Sequence, residues 1–370
     1  MLKEKFDLGR ISEAVSKAFK PKAAPLIGLD ISSSAVKLVE MSLGGKGRFR
    51  LERYAIEPLP KDAVVDGNVA NLEEVVEAVK RGWKKLGTRV KAVAMALPSA
   101  AVITKKIAVP AGLREQELET QVESEANQYI PFALDEVSLD FQIIGPVVDN
   151  PEEVEVLIAA SRKEKIEDRV AVAEASGLKA LIMDIDSFAA QHAFELIESQ
   201  LVNAGVDQTV ALVDVGASIM TVNVLRNRQS LYMREQPFGG DQLTQEIQRA
   251  FSLSADEAEA AKKNGGLPQN YERDVLNPFM EMLALEVTRA LQFFFTSTQF
   301  NEVDYIVLAG GCSTLPGLDG VVGKRAQVQT RVANPFESID KSDRVKGHQL
   351  SLDAPALMVA CGLAMRRLET

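Results

Sequence analysis

Asp30-Ile31-Ser32-Ser33-Ser34 and Asp214-Val215-Gly216-Ala217-Ser218 are two places where residue types and spacing suit phosphate chemistry. In each, an aspartate comes near the end of an apolar run and small residues follow it. A tight turn of Ser, Gly and Ala lets several backbone N–H groups converge on an anion without side-chain bulk in the way, and serine hydroxyls add donors. A carboxylate at such a strand end can hold magnesium through water, because Mg2+ dehydrates reluctantly. One such turn alone reads as a hairpin with a small tip. Two at matching positions read as a clamp on a polyphosphate. Asp30 and Asp214 would hold the metal through water, and Ser32, Ser33, Ser34, Gly216, Ala217 and Ser218 the phosphates. Lys37, on the strand leaving the first tip, is grouped with them.

The elements that must position these residues are strands. Leu26-Ile27-Gly28-Leu29-Asp30 enters the first tip and Ala35-Val36-Lys37-Leu38-Val39 leaves it; Ala211-Leu212-Val213 and Met220-Thr221-Val222-Asn223-Val224 flank the second. Asp30 aligns with Asp214, Ser32 with Gly216, Ser34 with Ser218, and Val36 and Leu38 with Met220 and Val222. The offset is 184 residues, half of a 370-residue chain. One architecture used twice is the expectation, in a chain long enough for two or three folding units of roughly 150 residues.

The paired hairpins resemble those of the actin, heat-shock chaperone and hexokinase superfamily, which implies ATP with Mg2+ and a duplicated α/β fold, two halves around a nucleotide cleft. Other segments follow in the expected order. Tyr305 to Ser313, with Gly310, Gly311 and Ser313 in its turn, resembles the adenosine motif. Gly239-Gly240-Asp241 opens a helix, as in bacterial actins. Ala258-Glu259-Ala260-Ala261-Lys262 resembles their helix whose acid and base reach ribose and base, which assigns Glu259 and Lys262. Leu181 to Asp186 is a strand and Ser187 to Leu201 a helix; in chaperone members this junction positions the attacking water. Asp186 is the matching position and Asp184 a second. A helix cap is the plainer reading of Asp186 or Ser187, and we prefer it. Ser32 stands where the superfamily usually has glycine, so the tip needs a backbone angle that serine allows.

Between the first half's strands the order is strand (Val102–Val109), helix (Leu113–Tyr129), strand (Val137–Ile144), strand (Val154–Ala160), helix (Lys163–Ser176) and strand (Lys179–Ile185), with Asp149-Asn150-Pro151 at the central hairpin. That β-α-β-β-α-β unit predicts a small sheet with two helices on one face. An insertion here resembles the division protein FtsA and the PilM family of pilus assembly proteins. Gln128-Tyr129-Ile130-Pro131-Phe132, Asp140-Phe141, Arg234 to Gly240, Gly265-Gly266-Leu267-Pro268, Leu291 to Phe295 and Asp353 to Ala364 are similar to PilM. FtsA carries an amphipathic membrane helix beyond the corresponding last helix, and the related secretion protein GspL continues into a transmembrane helix. This sequence stops at Thr370, and neither is expected. The expected division is 1–25 as a basic extension, 26–100 plus 181–206 as the first half, 101–180 as the inserted interaction domain, and 207–370 as the second half.

Composition narrows the alternatives. Hydrophobic residues make up 46% and charged residues 25%, ordinary for a globular protein. The net charge of −10 and the lack of a basic stripe with aromatics count against nucleic acid. Two cysteines far apart, Cys312 and Cys361, offer no disulfide framework and suggest a reducing compartment. His192 and His348 share no motif, which disfavours zinc hydrolase chemistry. No apolar run reaches the length that spans a bilayer. Residues 1–25 are basic, with Leu8, Ile11, Val15, Ala18 and Phe19 on one helical face. They read as a frayed extension, or else as a small amphipathic helix for lipid or a partner.

The PilM resemblance implies a cytoplasmic ATP-binding component of the type IV pilus inner-membrane alignment complex, peripheral to the membrane through its partner and needed for twitching motility. The family grips the cytoplasmic N-terminal tail of PilN in a groove between the first-hairpin domain and the inserted domain, and through it meets PilO and PilP; contact with pilus motor ATPases and homo-oligomers are further possibilities. Nucleotide is expected to change the groove's affinity for the tail, with hydrolysis slow or dispensable. An FtsA-like division scaffold, a small-molecule kinase and a polymerising bacterial actin remain open as alternatives. Phe293-Phe294-Phe295 reads as a buried helix face.

Overall fold

In the computed structural model, residues 25–44, 48–147 and 149–366 are described. The basic extension, apart from its final residue, lies outside them. Strands β1 (Ile27–Ile31) and β2 (Ala35–Leu43) pair antiparallel, with Asp30 opposite Lys37. Every residue of β1 is buried, as a central strand covered on both faces must be. β3 (Phe49–Pro58) extends the meander, and a short ribbon, β4 (Val64–Val65) with β5 (Asn68–Val69), leads into helix α1 (Leu72–Leu86). The Asn71 side chain caps α1 by accepting from the Glu74 amide at 3.2 Å, and Gly87 ends it in the left-handed conformation. The buried stripe Val75, Val76, Ala78 and Val79 then packs on the sheet. β6 (Ala92–Leu97) runs parallel to β1.

The inserted segment departs from the expected split unit. Strands β7 (Val102–Pro110), β8 (Val137–Val147) and β9 (Asn150–Arg162) form a three-stranded antiparallel sheet in the order β7-β9-β8, covered by one helix, α2 (Glu115–Tyr129). Its core joins Ile107, Val109, Val156 and Ile158 of the sheet to Leu118, Val122 and Ala126 of the helix. Helix α3 (Lys163–Ala175) belongs instead to the first half, together with strand β10 (Lys179–Ile185), which the expected boundary at 181 already places there for the most part. β10 ladders in parallel with β6, and Val172, Ala173 and Leu178 enter the first half's core. The reason is burial: the apolar residues of α3 face the large sheet, and β10 finds an open edge at β6.

After α4 (Asp186–Ala193) and α5 (Glu195–Glu198), which break the expected helix from Ser187 to Leu201, the plan repeats. β11 (Thr209–Val215), β12 (Met220–Arg226) and β13 (Gln229–Gln236) form the second meander. Helices α6 (Gly240–Phe251), α7 (Ala255–Asn264) and α8 (Asn277–Ser297) follow, then β14 (Tyr305–Ala309), α9 (Leu318–Ala326) and β15 (Gln329–Val332). The orders β10-β6-β1-β2-β3 and β15-β14-β11-β12-β13 match strand for strand, including which pairs are parallel. This is the duplicated α/β actin-like fold.

The C-terminal segment, placed by sequence wholly with the second half, returns to the first. β16 (Asp340–Lys341) adds to the free edge of β3. After α10 (Gly347–Asp353), helix α11 (Met358–Met365) is buried nearly all round, between β1 and α4. A Cβ on Gly28 would lie 1.9 Å from the Ala360 carbonyl oxygen, and one on Gly362 1.7 Å from that of Ala189. Glycine at both positions is what lets α11 approach so closely. Val39 and Met41 of the first sheet, Val210 and Leu212 of the second, and Met358 and Cys361 share one core. The aromatic run on α8 is only partly internal. Phe294 is fully buried against Tyr232 and Phe300, Phe295 is half-buried, and Phe293 is 48% exposed with the Arg234 guanidinium 3.9 Å from its ring centre.

Candidate functional site

Both hairpin tips close with the same bond. The Ser32 amide donates to the Ala35 carbonyl at 3.0 Å, and the Gly216 amide to the Ile219 carbonyl at 3.0 Å. Ser32 is absent from the residues with left-handed backbone, so serine replaces the superfamily glycine without strain; its hydroxyl also donates to Ala35. The tips meet: Ser218 Oγ donates to Ser33 Oγ at 3.2 Å. Ser34, the residue aligned with Ser218, is exposed at the turn.

Between the tips lies a charged centre. Lys37 Nζ donates to Asp30 Oδ2 at 2.8 Å and to Ser32 Oγ at 3.2 Å. Burial works against its charge, but Asp30 and then Asp214 outweigh it and leave the ammonium above the usual lysine value. Burial pushes Asp214 up to about 6, opposed by Lys37 and reinforced by Asp30 and Asp186. Two carboxylates sharing one ammonium is a charge pattern that a hydrated divalent cation also satisfies, so Asp30 and Asp214 fit magnesium held through water. Among the described residues, no three acidic, histidine or cysteine side chains gather as direct ligands.

Asp186 is the first residue of α4 and not its cap, which is Ile185 without a side-chain capping bond, so the cap reading fails for Asp186 and Ser187 alike. Asp186 Oδ1 accepts from the Ser187 amide at 2.6 Å, from the Ser99 amide at 3.0 Å and from the Ser99 hydroxyl. Among the described residues, Oδ2 accepts none, which leaves one carboxylate oxygen for water. Burial raises its pKa, and these hydrogen bonds oppose the rise. Asp184 is not available for such a role: Arg366 grips it, with Nη2 2.8 Å from Oδ1.

The second-half residues form one contiguous wall. The amides of Gly240 and Asp241, at the start of α6, donate to the carbonyls of Gly216 and Ala217 at 3.1 and 2.8 Å. A Cβ on Gly239 would lie 2.4 Å from the Ala217 carbonyl oxygen, so only glycine lets α6 dock on the tip. Lys262 Nζ pairs with Glu259 Oε2 at 2.5 Å, and reaches Thr244 Oγ1 at 2.7 Å and the Gly240 carbonyl at 3.2 Å. Thr244 in turn donates to Glu259 at 2.7 Å. Burial would raise the Glu259 pKa, yet the bonds from Lys262 and Thr244 hold it at about 2. Burial also raises Asp241, with Lys262 and, from the first half, Lys61 opposing.

Gly310 has φ +84°, and its missing Cβ would lie 2.5 Å from Asp214 Oδ1, whereas open space surrounds Gly311. Ser313 is 1% exposed and spends its hydroxyl on the Gly310 carbonyl at 2.7 Å; it seals the turn and cannot reach a ligand. Cys312 Sγ contacts the Gly216 carbonyl at 3.3 Å, and burial pushes its thiol up to about 11.

Sequence reasoning missed Ser99, Thr244 and Arg169. Arg169, on α3, is 4% exposed and donates to the Ile31 carbonyl at 3.2 Å and the Gly67 carbonyl at 2.7 Å. Burial lowers its pKa, while Asp30 and Asp186 oppose. A lone arginine amid polar helix residues carries no local signal; the acid three residues from Lys262 pointed toward Thr244 only once α6 and α7 were packed.

Residues 28–368 match the family model described as type IV pilus assembly protein PilM. The solved structure of a PilM-PilN type IV pilus biogenesis complex is similar with a TM-score of 0.79 and 30% identity, over 95% of this chain and 100% of that chain. The ethanolamine utilization protein EutJ from Carboxydothermus hydrogenoformans matches with a TM-score of 0.57 and 16% identity, over 92% and 89%. A diol dehydratase-reactivating factor matches with a TM-score of 0.54 and 9% identity, over 94% and 100%. These last two share the fold alone.

Proposed function

The chain belongs to the type IV pilus assembly protein PilM family, and from that premise we propose that it binds ATP in the cleft and the cytoplasmic N-terminal tail of PilN on its surface. The observation that carries the nucleotide reading is the contact of two duplicated tips around Lys37, Asp30 and Asp214. Backbone amides and serine hydroxyls at the tips bind phosphate oxygens, Lys37 neutralises them, and Asp30 and Asp214 hold magnesium through water. The magnesium would supply charge neutralisation between the phosphates. Glu259 and Lys262, held by Thr244, face ribose and base, and the open side of Gly311 accommodates the nucleoside. Asp186 Oδ2 orients a water, with hydrolysis slow or dispensable.

The partner reading rests on family membership and on the likeness to the PilM-PilN complex. The inserted domain adds exposed Tyr129, Phe132 and Ile143, apolar surface of the kind a peptide's leucines cover. Among the described residues no helix is long and apolar enough to cross a membrane. In this reading, peripheral attachment at the inner membrane, under PilO and PilP, comes through PilN. A tail ordering against the groove would work with nucleotide if the ATP-closed cleft offers it a better surface.

Calorimetric titration of the full chain with Mg-ATP, and of a synthetic PilN N-terminal peptide with and without Mg-ATP, tests both parts. Uptake of each ligand is expected. A protein that took up no adenine nucleotide with magnesium present would overturn the cleft assignment, and one that ignored the peptide the partner assignment.

A further inference from the structure

We propose that Ser99 and Arg169, one on each connection between the inserted domain and the first half, are positioning residues that couple the phosphate cleft to the inserted domain. The proposal rests on the reading that the cleft takes Mg-ATP and the inserted domain takes the tail.

The inserted sheet joins the first half through a two-stranded neck. Val102 pairs with Ser161, and the Ser161 hydroxyl donates to the Ala101 carbonyl at 2.8 Å, so entry and exit move together. Directly below the neck, each connection is bonded to the cleft. On the entry side, Ser99 is 6% exposed, gives both its amide and its hydroxyl to Asp186 Oδ1, and lies 2.7 Å from Ser187 Oγ. On the exit side, the chain leaves β9 at Arg162 and enters α3, where Arg169 buries its guanidinium against the Ile31 carbonyl, next in sequence to Asp30.

The physical consequence follows from charge. A buried guanidinium is costly unless hydrogen-bonded and electrically balanced. Here two carbonyls supply the bonds, and Asp30 and Asp186 the balancing field. Phosphates and a cation entering between Asp30 and Asp214 alter that field, and any shift of Asp186 pulls Ser99 through two bonds to one oxygen. Both displacements act on the same rigid neck. A small change in the cleft then becomes a rotation of the three-stranded sheet, as packed elements respond in discrete steps.

The test reads the ratio of PilN-peptide affinities with and without Mg-ATP in the full chain. Wild type should give a ratio of at least about fivefold, Ser99→Ala below about twofold, and Ser99→Thr, which keeps the hydroxyl, a return toward wild type. Arg169→Lys, which keeps the charge but replaces the planar fork of two nitrogens with a single nitrogen on a differently shaped side chain, should lower the ratio as well. Circular dichroism melting confirms that each variant is folded, and amide exchange on wild type needs no variant: Mg-ATP should change exchange at 99–101 and in the first turns of α3. A Ser99→Ala protein with the wild-type ratio, or exchange changes confined to the hairpin tips, would overturn the coupling. A wild type that binds both ligands with a ratio of one also overturns it while the binding assignments stand. No uptake of Mg-ATP removes the nucleotide reading itself, and the coupling with it.

Discussion

Ser218 Oγ donates to Ser33 Oγ across 3.2 Å, so residues 185 positions apart bring the tips of two duplicated hairpins into contact. Behind that contact, Lys37 is bonded to Asp30 on its own hairpin and feels Asp214 on the other. The charges of the site therefore depend on both halves at once, and a ligand anchored there reports on their separation.

Asp30→Ala and Asp214→Ala should each weaken Mg-ATP binding about 10–100-fold, the range for removing a carboxylate that acts on a metal through an intermediary. Calorimetry at one fixed salt concentration measures this. Unchanged affinity in both variants would contradict the water-held metal.

Stability without nucleotide should depend on Asp214 with a defined sign. Its folded pKa is raised to about 6, while an unfolded aspartate titrates near about 3.9. Below about pH 4 both states hold the proton; as pH rises to about 6 the unfolded chain releases it first, so folding loses stability, and the loss is complete above that value. Asp214→Asn avoids it. Urea midpoints at pH 4, 5.5 and 7 should show the variant's advantage growing from near zero to on the order of 2 kcal/mol.

Gly310 and Gly311 should respond oppositely to alanine. Gly310→Ala meets a left-handed φ and the oxygens of Val215 and Asp214, and should cost more than about 2 kcal/mol by thermal melting. Gly311→Ala enters open space and should melt like wild type, while weakening Mg-ATP binding if the nucleoside lies there.

Thr244 is 8% exposed and bonded to both members of the Glu259–Lys262 pair. Replacing it with valine strips a hydroxyl from charged partners, which costs about 1.5–3 kcal/mol. A lower melting temperature together with weaker Mg-ATP binding is expected; a variant as stable as wild type would show that the hydroxyl holds nothing in place.

Neighbouring phenylalanines on α8 offer an internal comparison. Phe294→Ala empties a fully buried site and should cost about 3–5 kcal/mol, whereas Phe293→Ala loses a contact with Arg234 worth about 0.5–1 kcal/mol. Denaturant midpoints separate them.

What the sequence determined by itself was the repeat. Period-two apolar runs specify buried strands wherever they occur, and small residues after Asp30 and Asp214 specify tight tips, because both properties are local to the backbone. The 184-residue offset reappears as matching turn bonds at Ser32 and Gly216. The tertiary structure alone decided which sheet each piece joined. Helix α3 falls within the expected insertion because nothing local distinguishes a helix that covers a small sheet from one that covers a large one; the core around Val172, beside β10 on the open edge of β6, decided it. It likewise gave Asp184 to Arg366, Ser313 to its own turn, and Ser99 and Arg169 to the cleft. A polar side chain takes whichever partner packing brings within about 3 Å, and partners that distant in sequence are chosen only when the sheets have closed.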